Sequence, residues 1–355
     1  MALLPSIIAS PTIPRPHQPL VILQSSASQT CLPVLRRLIL PTKPPSQILL
    51  FCFLYPPPSL IRDWPNVSDE SPKVFDYTER IPGYDAWSDS CDEILAVVGA
   101  APPGSLNVII DSVDTLASDL RSGSQTFGFI KTLLDLITSR SHPSVLTLQL
   151  LPCPLLTVLT QTSLSPTLVH IIAHPPALIT HLATSYLTPP PPAGPSEKFW
   201  SVFIPVSERA HESQNLVYGP DGTGTCSGGG SDAREFVVEL VIRGGGAEGR
   251  KRGIERTIEG WKDGAPQDLQ KLDSLKSIWA RKKADEEKQP DPTQNVSFNL
   301  NLTPSQEKSR AQVPLPYAHE GKQTTSTPST AGAILYDPDS ADDIDDDDPD
   351  EDLDI

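Results

Sequence analysis

Residues Ile48 to Tyr55 read ILLFCFLY, an unbroken apolar run closed by Pro56, Pro57 and Pro58. A run this short with no polar alternation is the signature of a strand buried on both faces. Such a strand forces a layered fold, because a sheet that is apolar above and below must be covered on both sides. Leu20 to Leu23 (LVIL) is a second apolar strand, Gln24 to Thr30 (QSSASQT) a polar loop, and Cys31 to Leu40 a helix with Pro33 in its first turn. A helix over Cys91 to Ala100, a strand over Leu106 to Ile110 ending on Asp111, an amphipathic helix over Gln125 to Ser139 and a strand over Val145 to Leu151 continue the alternation. The expected fold class is therefore α/β, a mainly parallel sheet flanked by helices.

Trp200 to Val206, Glu235 to Arg243 and Arg252 to Trp261 alternate apolar and polar residues and are read as edge hairpin strands, with Gly219 to Gly230 a flexible insertion. Residues 1–19 are expected to be disordered, and 20–265 form the α/β domain. Residues 266–288 are read as an amphipathic helix with Leu269, Leu272, Leu275, Ile278 and Trp279 on one side. Residues 289–332 are a linker with docking motifs, and 333–355 an acidic tail expected to be disordered.

The net charge of -16 is a property of that tail. Twelve of the 44 acidic residues lie between Tyr336 and Ile355, which leaves 32 acids against 28 Lys and Arg elsewhere. The block holds almost nothing apolar to offset backbone entropy, and its charges repel. No charged residue occurs between Arg140 and Glu197, but Pro152, Pro154, Pro166, Pro175 and Pro176 break that stretch, so no membrane span is expected. Five cysteines without a C-x-x-C pair argue against a disulfide framework and a zinc site, and fit a reducing compartment.

A phosphate site in the first strand, loop, helix unit would need glycines to wrap the oxygens and a lysine for the terminal phosphates. The loop QSSASQT has neither. Asp111 matches a magnesium-holding acid in position only, so autonomous ATP hydrolysis is not expected. Gly244, Gly246 and Gly249 satisfy G-x-G-x-x-G but precede charged text, which makes them a hairpin loop. His170, His174 and His181 could share a helix face and hold a metal, yet Pro175 and Pro176 interrupt it, and ordinary histidines are the expectation. No cofactor is expected. Arg243, Arg250, Lys251, Arg252 and Arg256 crowd the predicted hairpin tip, either as phosphate contacts or as a solvated surface. Val296, Phe298, Leu300 and Leu302 alternate with polar residues as a strand laid on a sheet edge would, and Thr303, Pro304 and Gln306 open a short helix toward Pro314.

Those last residues belong to DPTQNVSFNLNLT. With QVPLPYAHEG, the acidic close DDPDEDLDI, and IEGW ahead of LKSIWARKKA, they resemble the fungal branch of the Elongator complex protein 5 family. The resemblance implies a RecA-like ATPase fold that has lost its phosphate loop. It further implies a noncatalytic subunit of a heterohexameric ring with Elongator subunits 4 and 6, binding tRNA and helping the catalytic core modify the wobble uridine (U34), in cytoplasm and nucleus. Within such a ring Arg250, Lys251 and Arg252 are the expected RNA contacts, and Val296, Phe298, Leu300 and Leu302 the expected partner docking residues. The alternatives are a nucleotide hydrolase using Asp111 with a loop supplied in trans, and an acidic adaptor whose tail competes with RNA.

Overall fold

A computed structural model describes residues 3–9, 18–40, 47–61, 72–84, 89–219, 234–244 and 253–280, together with residues 305, 308, 309 and 312. The chain divides into two units, Met1–Gln289 and Pro290–Ile355. In the second, Ser305, Lys308 and Ser309 are helical, where the sequence expects a short helix.

In the first unit the apolar runs become strands of one sheet: β1 (Leu20–Gln24), β2 (Gln47–Cys52), β3 (Lys73–Asp76), β4 (Leu106–Ile110), β5 (Val145–Leu150), β6 (Leu168–His174), β7 (Glu235–Arg243), β8 (Ile254–Lys262) and β9 (Ala265–Gln267). Their order across the sheet is β3-β2-β4-β5-β1-β6-β7-β8-β9. The first six strands are mutually parallel, and β7, β8 and β9 continue antiparallel from β6. The fold class is thus the expected one, a mainly parallel sheet with flanking helices and a hairpin toward one end.

The helices are α1 (Leu4–Ala9), α2 (Leu32–Ile39), α3 (Pro57–Leu60), α4 (Cys91–Gly99), α5 (Val113–Asp119), α6 (Gly123–Thr138), α7 (Pro154–Leu159), α8 (Pro176–Ser185), α9 (Ser196–Ser207) and α10 (Ala210–Tyr218). Continuous apolar strands follow from cover on both faces. Leu20 and Ile22 of β1 pack with Ile94 of α4, Leu116 of α5 and Leu133 of α6, while Val21 and Leu23 pack with Leu35 and Leu38 of α2. Each fully buried Leu or Ile contributes roughly 1.5–3 kcal/mol. Caps fix the helix starts: Ser112 accepts from the Thr115 amide at α5, and Ser122 from the Gln125 amide at α6. Among the described residues no helix is long and apolar enough to cross a membrane.

Four local expectations change. Trp200 to Val206 is not a strand but part of α9, whose buried side is Phe199, Phe203 and Val206. The residue that reveals this helical spacing, Phe199, lies just outside the alternating window Trp200 to Val206. His170 and His174 sit on β6 and His181 on α8, so the three share no helix face. Residues 1–19 contain a helix, α1, whose Leu4 and Ile8 are buried in the core shared with α2. The described part of 266–288 holds its apolar face, with Leu269, Leu272, Leu275 and Ile278 buried. It does so through β9, two 3-10 turns (Leu269–Lys271 and Asp273–Leu275) and a helical stretch over 276–280, rather than one α-helix. A spacing of three residues suits a 3-10 turn, whose period is three.

Candidate functional site

In a parallel sheet, ligands are taken at the carboxyl ends of the strands, where the chain changes direction across the sheet. Here that place is the loop after β1, because β2 lies to one side of β1 and β6 to the other. The loop is closed on itself. Ser25 Oγ accepts from the Cys31 amide at 2.9 Å, and Thr30 Oγ1 from the Leu32 amide at 3.1 Å. Pro33 has no amide hydrogen to offer. Ser26 Oγ accepts from the Gln29 amide at 3.1 Å and lies 2.9 Å from Ser28 Oγ, and Tyr218 donates its hydroxyl to the Ala27 carbonyl at 2.7 Å. Ser28 and Gln29 are buried. The amides that open α2, which an anion would otherwise meet, are therefore satisfied by the loop's own hydroxyls.

Asp111, at the end of β4, is fully buried. Its Oδ1 accepts from the Phe53 amide at 2.6 Å, and its Oδ2 from the Leu54 and Tyr55 amides at 3.1 and 2.7 Å. Burial raises its pKa above the usual carboxylate value, against the pull of those amides. Both oxygens thus tie the loop after β2 to the end of β4.

Beside the β1 loop opens a cleft of about 380 Å³, walled by Ser26, Ser28, Leu156 and Ile204 and floored by β6, β7 and β8. Pairing places His170, Ile172 and His174 of β6, Glu239 of β7 and Arg256 of β8 on one face of that floor. Glu239 is 3% exposed; its Oε2 lies 2.8 Å from His174 Nε2 and its Oε1 3.2 Å from Arg256 Nε. Burial works to raise the Glu239 pKa, but the His174 hydrogen bond and the charges of His174 and Arg256 bring it below its ordinary value. His170 lies next to them with a buried Nε2 that has no partner among the described residues. Burial lowers its pKa to about 4, reinforced by Arg256 and His174 and opposed by Glu239, so the ring is neutral at pH 7. The His174 ring meets Phe203 edge-on at 5.1 Å, and the Arg256 guanidinium lies 5.9 Å from the Trp200 ring. Sequence reasoning missed this network. Its one signal was Glu239, a lone carboxylate in the middle of an otherwise apolar strand.

The hairpin forms as expected, with Arg243 paired to Ile254. Gly244 opens its tip at φ 82°, where a Cβ would come within 2.6 Å of Thr167 Cγ2, so only glycine fits. Arg243 donates to the carbonyls of Thr160, Gln161 and Ser165 and so seals the end of α7. Arg243 and Arg256 are thereby engaged inside the fold. Arg250, Lys251 and Arg252, and the docking residues Val296, Phe298, Leu300 and Leu302, lie outside the described residues.

A profile of the Elongator subunit Iki1 family matches residues 15–337. The chain belongs to the Elongator subunit Iki1 family. Relatives of this Iki1-family chain include Elongator complex protein 5 of Danio rerio, 40% identical over 68 residues, which are 18% of this chain and 23% of that protein. The Mus musculus protein of the same name is 40% identical over 72 residues, 19% and 24% of the two chains. That of Homo sapiens is 40% identical over 70 residues, 18% and 23%. The matched segment thus spans about a quarter of the length of these relatives. Among solved structures, a KaiC-like protein from Pyrococcus horikoshii is similar at a TM-score of 0.36 and 9% identity, over 71% of this chain and 90% of that one. A DnaB-like replicative helicase is similar at a TM-score of 0.34 and 10% identity, over 71% and 58%.

Proposed function

We propose that this chain is a noncatalytic subunit of the Elongator complex. It assembles with Elongator subunits 4 and 6 into a heterohexameric ring of RecA-like folds; the ring binds tRNA and supports wobble uridine (U34) modification by the catalytic core, in cytoplasm and nucleus. The observation that carries this reading is the Iki1-family match over residues 15–337. The loop after β1 supports the noncatalytic part: its hydroxyls occupy the amides of Cys31 and Leu32, and Asp111 is occupied by three backbone amides. Any ATP hydrolysis is then a property of the assembled ring. Arg243 and Arg256 are engaged within the fold, which supports assigning tRNA phosphate contacts to Arg250, Lys251 and Arg252 between them. Val296, Phe298, Leu300 and Leu302 dock on a partner subunit.

The test is the native mass of this chain expressed alone and together with Elongator subunits 4 and 6. A discrete heterohexamer that forms only on coexpression is the expected result, and a monomer indifferent to both partners refutes the reading. Within such a ring, replacing Arg250, Lys251 and Arg252 by alanine is expected to weaken tRNA binding and flatten its salt dependence.

A further inference from the structure

The sheet ends unevenly on its antiparallel side. β9 pairs only with Gly260, Trp261 and Lys262 of β8, so Ile254 to Glu259 have no strand on their outer side among the described residues. An open edge of that length offers backbone donors and acceptors to any extended chain that approaches. A groove of about 440 Å³ runs beside it, walled by Pro191, Pro192, Thr257, Glu259, Asp268 and Leu269.

Two polar atoms of the groove residues are shielded from solvent and have no hydrogen-bond partner among the described residues, Thr257 Oγ1 and Glu259 Oε2. Glu259 is the costlier of the two. It is 7% exposed, and its other oxygen, Oε1, accepts from the Leu3 and Leu4 amides at 2.6 and 3.2 Å. Burial raises its pKa; the two amides act against this, and Asp268 adds to it. A buried carboxylate with a bare oxygen carries a desolvation penalty that a delivered cation removes. The surroundings favour the same sign of charge. Glu255 is exposed at one end of the edge, and Asp268 at the other is 68% exposed, with Lys271 3.6 Å away. Ile254, 68% exposed, adds apolar surface to the edge.

We propose that the outer edge of β8 is a docking site for an extended segment of another protein chain bearing a lysine or arginine, which pairs as an added strand and directs its cation to Glu259 and Asp268. The backbone ladder supplies affinity, and the acidic groove selects the basic side chain. An acidic or apolar strand would leave Glu259 Oε2 bare, so the groove discriminates against both.

The test titrates the full chain with a synthetic nine-residue peptide alternating threonine and valine around a central lysine, and reads hydrogen exchange along the protein. Saturable binding with slowed exchange confined to residues 254–259 is expected. It should weaken about tenfold when the lysine becomes glutamate, and again in Asp268→Lys, an exposed change that leaves the core untouched. Glu259→Gln, which keeps side-chain size, is the second variant and should weaken lysine-peptide binding without affecting a lysine-free peptide. Equal binding of lysine and glutamate peptides, protection elsewhere, or no saturable binding overturns the proposal. A concentration-dependent dimer abolished by Asp268→Lys would give the edge to a second copy of this chain and overturn it as well.

Discussion

Glu239 on β7 and His174 on β6 sit diagonally across an antiparallel pair, with Nε2 of the ring 2.8 Å from Oε2 of the carboxylate. The other carboxylate oxygen holds Arg256 from β8, so one buried acid joins three strands. Breaking a buried charge pair by removing one partner leaves the other group desolvated and unpaired. Glu239→Ala is expected to destabilise the fold by about 3 kcal/mol in urea unfolding. Glu239→Gln, which keeps the shape and one acceptor, should lose less; a loss equal to that of Glu239→Ala would show that the charge alone carries the contribution, and no loss that the charge contributes nothing. The folded pKa is depressed, so this contribution is present above the unfolded value and fades as pH falls through the folded one.

His170 gives a pH dependence at milder acidity. Its pKa falls from 6.5 to about 4 on folding, so between those values the unfolded chain binds the extra proton and stability drops as pH falls. From pH 7 to pH 5 the loss from this group is about 2 kcal/mol. Urea titrations at the two pH values should show that His170→Leu loses correspondingly less than the parent chain. An identical loss in both would remove His170 as the cause.

Asp111→Ala strips the acceptor from the amides of Phe53, Leu54 and Tyr55. With a penalty of roughly 1–3 kcal/mol for each buried unpaired group, a loss of about 3 kcal/mol is expected in denaturant unfolding. ATP turnover by the assembly should be unchanged when measured on rings that remain folded. A ring that keeps its stability but loses turnover would make Asp111 catalytic instead.

Ser25→Ala leaves the buried Cys31 amide without its acceptor. The expected cost is about 1 kcal/mol, the low end of the penalty for a buried amide left unpaired, read as a lower urea midpoint at unchanged slope. A larger loss with a changed slope would mean that the loop after β1 unfolds as a unit.

Most of the parallel sheet was legible because its signals are local. ILLFCFLY and LVIL became β2 and β1, and the stretch ending on Asp111 became β4. The absence of glycine and lysine from QSSASQT was equally plain, but what replaced them was not. That Ser25 and Thr30 would turn inward to satisfy Cys31 and Leu32 depends on the loop's path. The region after Leu151 was harder to read, since its short apolar pieces fit strand and helix alike until burial chooses. HIIAH went into β6 because β1 and β7 flank it, and WSVFIPV into α9 because Phe199 and Phe203 pack against α8 and β7. The buried helix α1 gave no signal above its proline breaks.

By itself the sequence determined the features that neighbours along the chain dictate: apolar runs that must be covered on both faces, a loop without a phosphate cradle, and a block of twelve acidic residues between Tyr336 and Ile355. Only the tertiary structure decided which distant residues meet. His174, Glu239 and Arg256 become one network through the pairing of β6, β7 and β8, and Leu3 and Leu4 reach Glu259 across 255 and more positions of chain. The physical reason is that a buried charge is tolerated only where pairing and packing supply its partner, and that partner is fixed by strand register rather than by sequence distance.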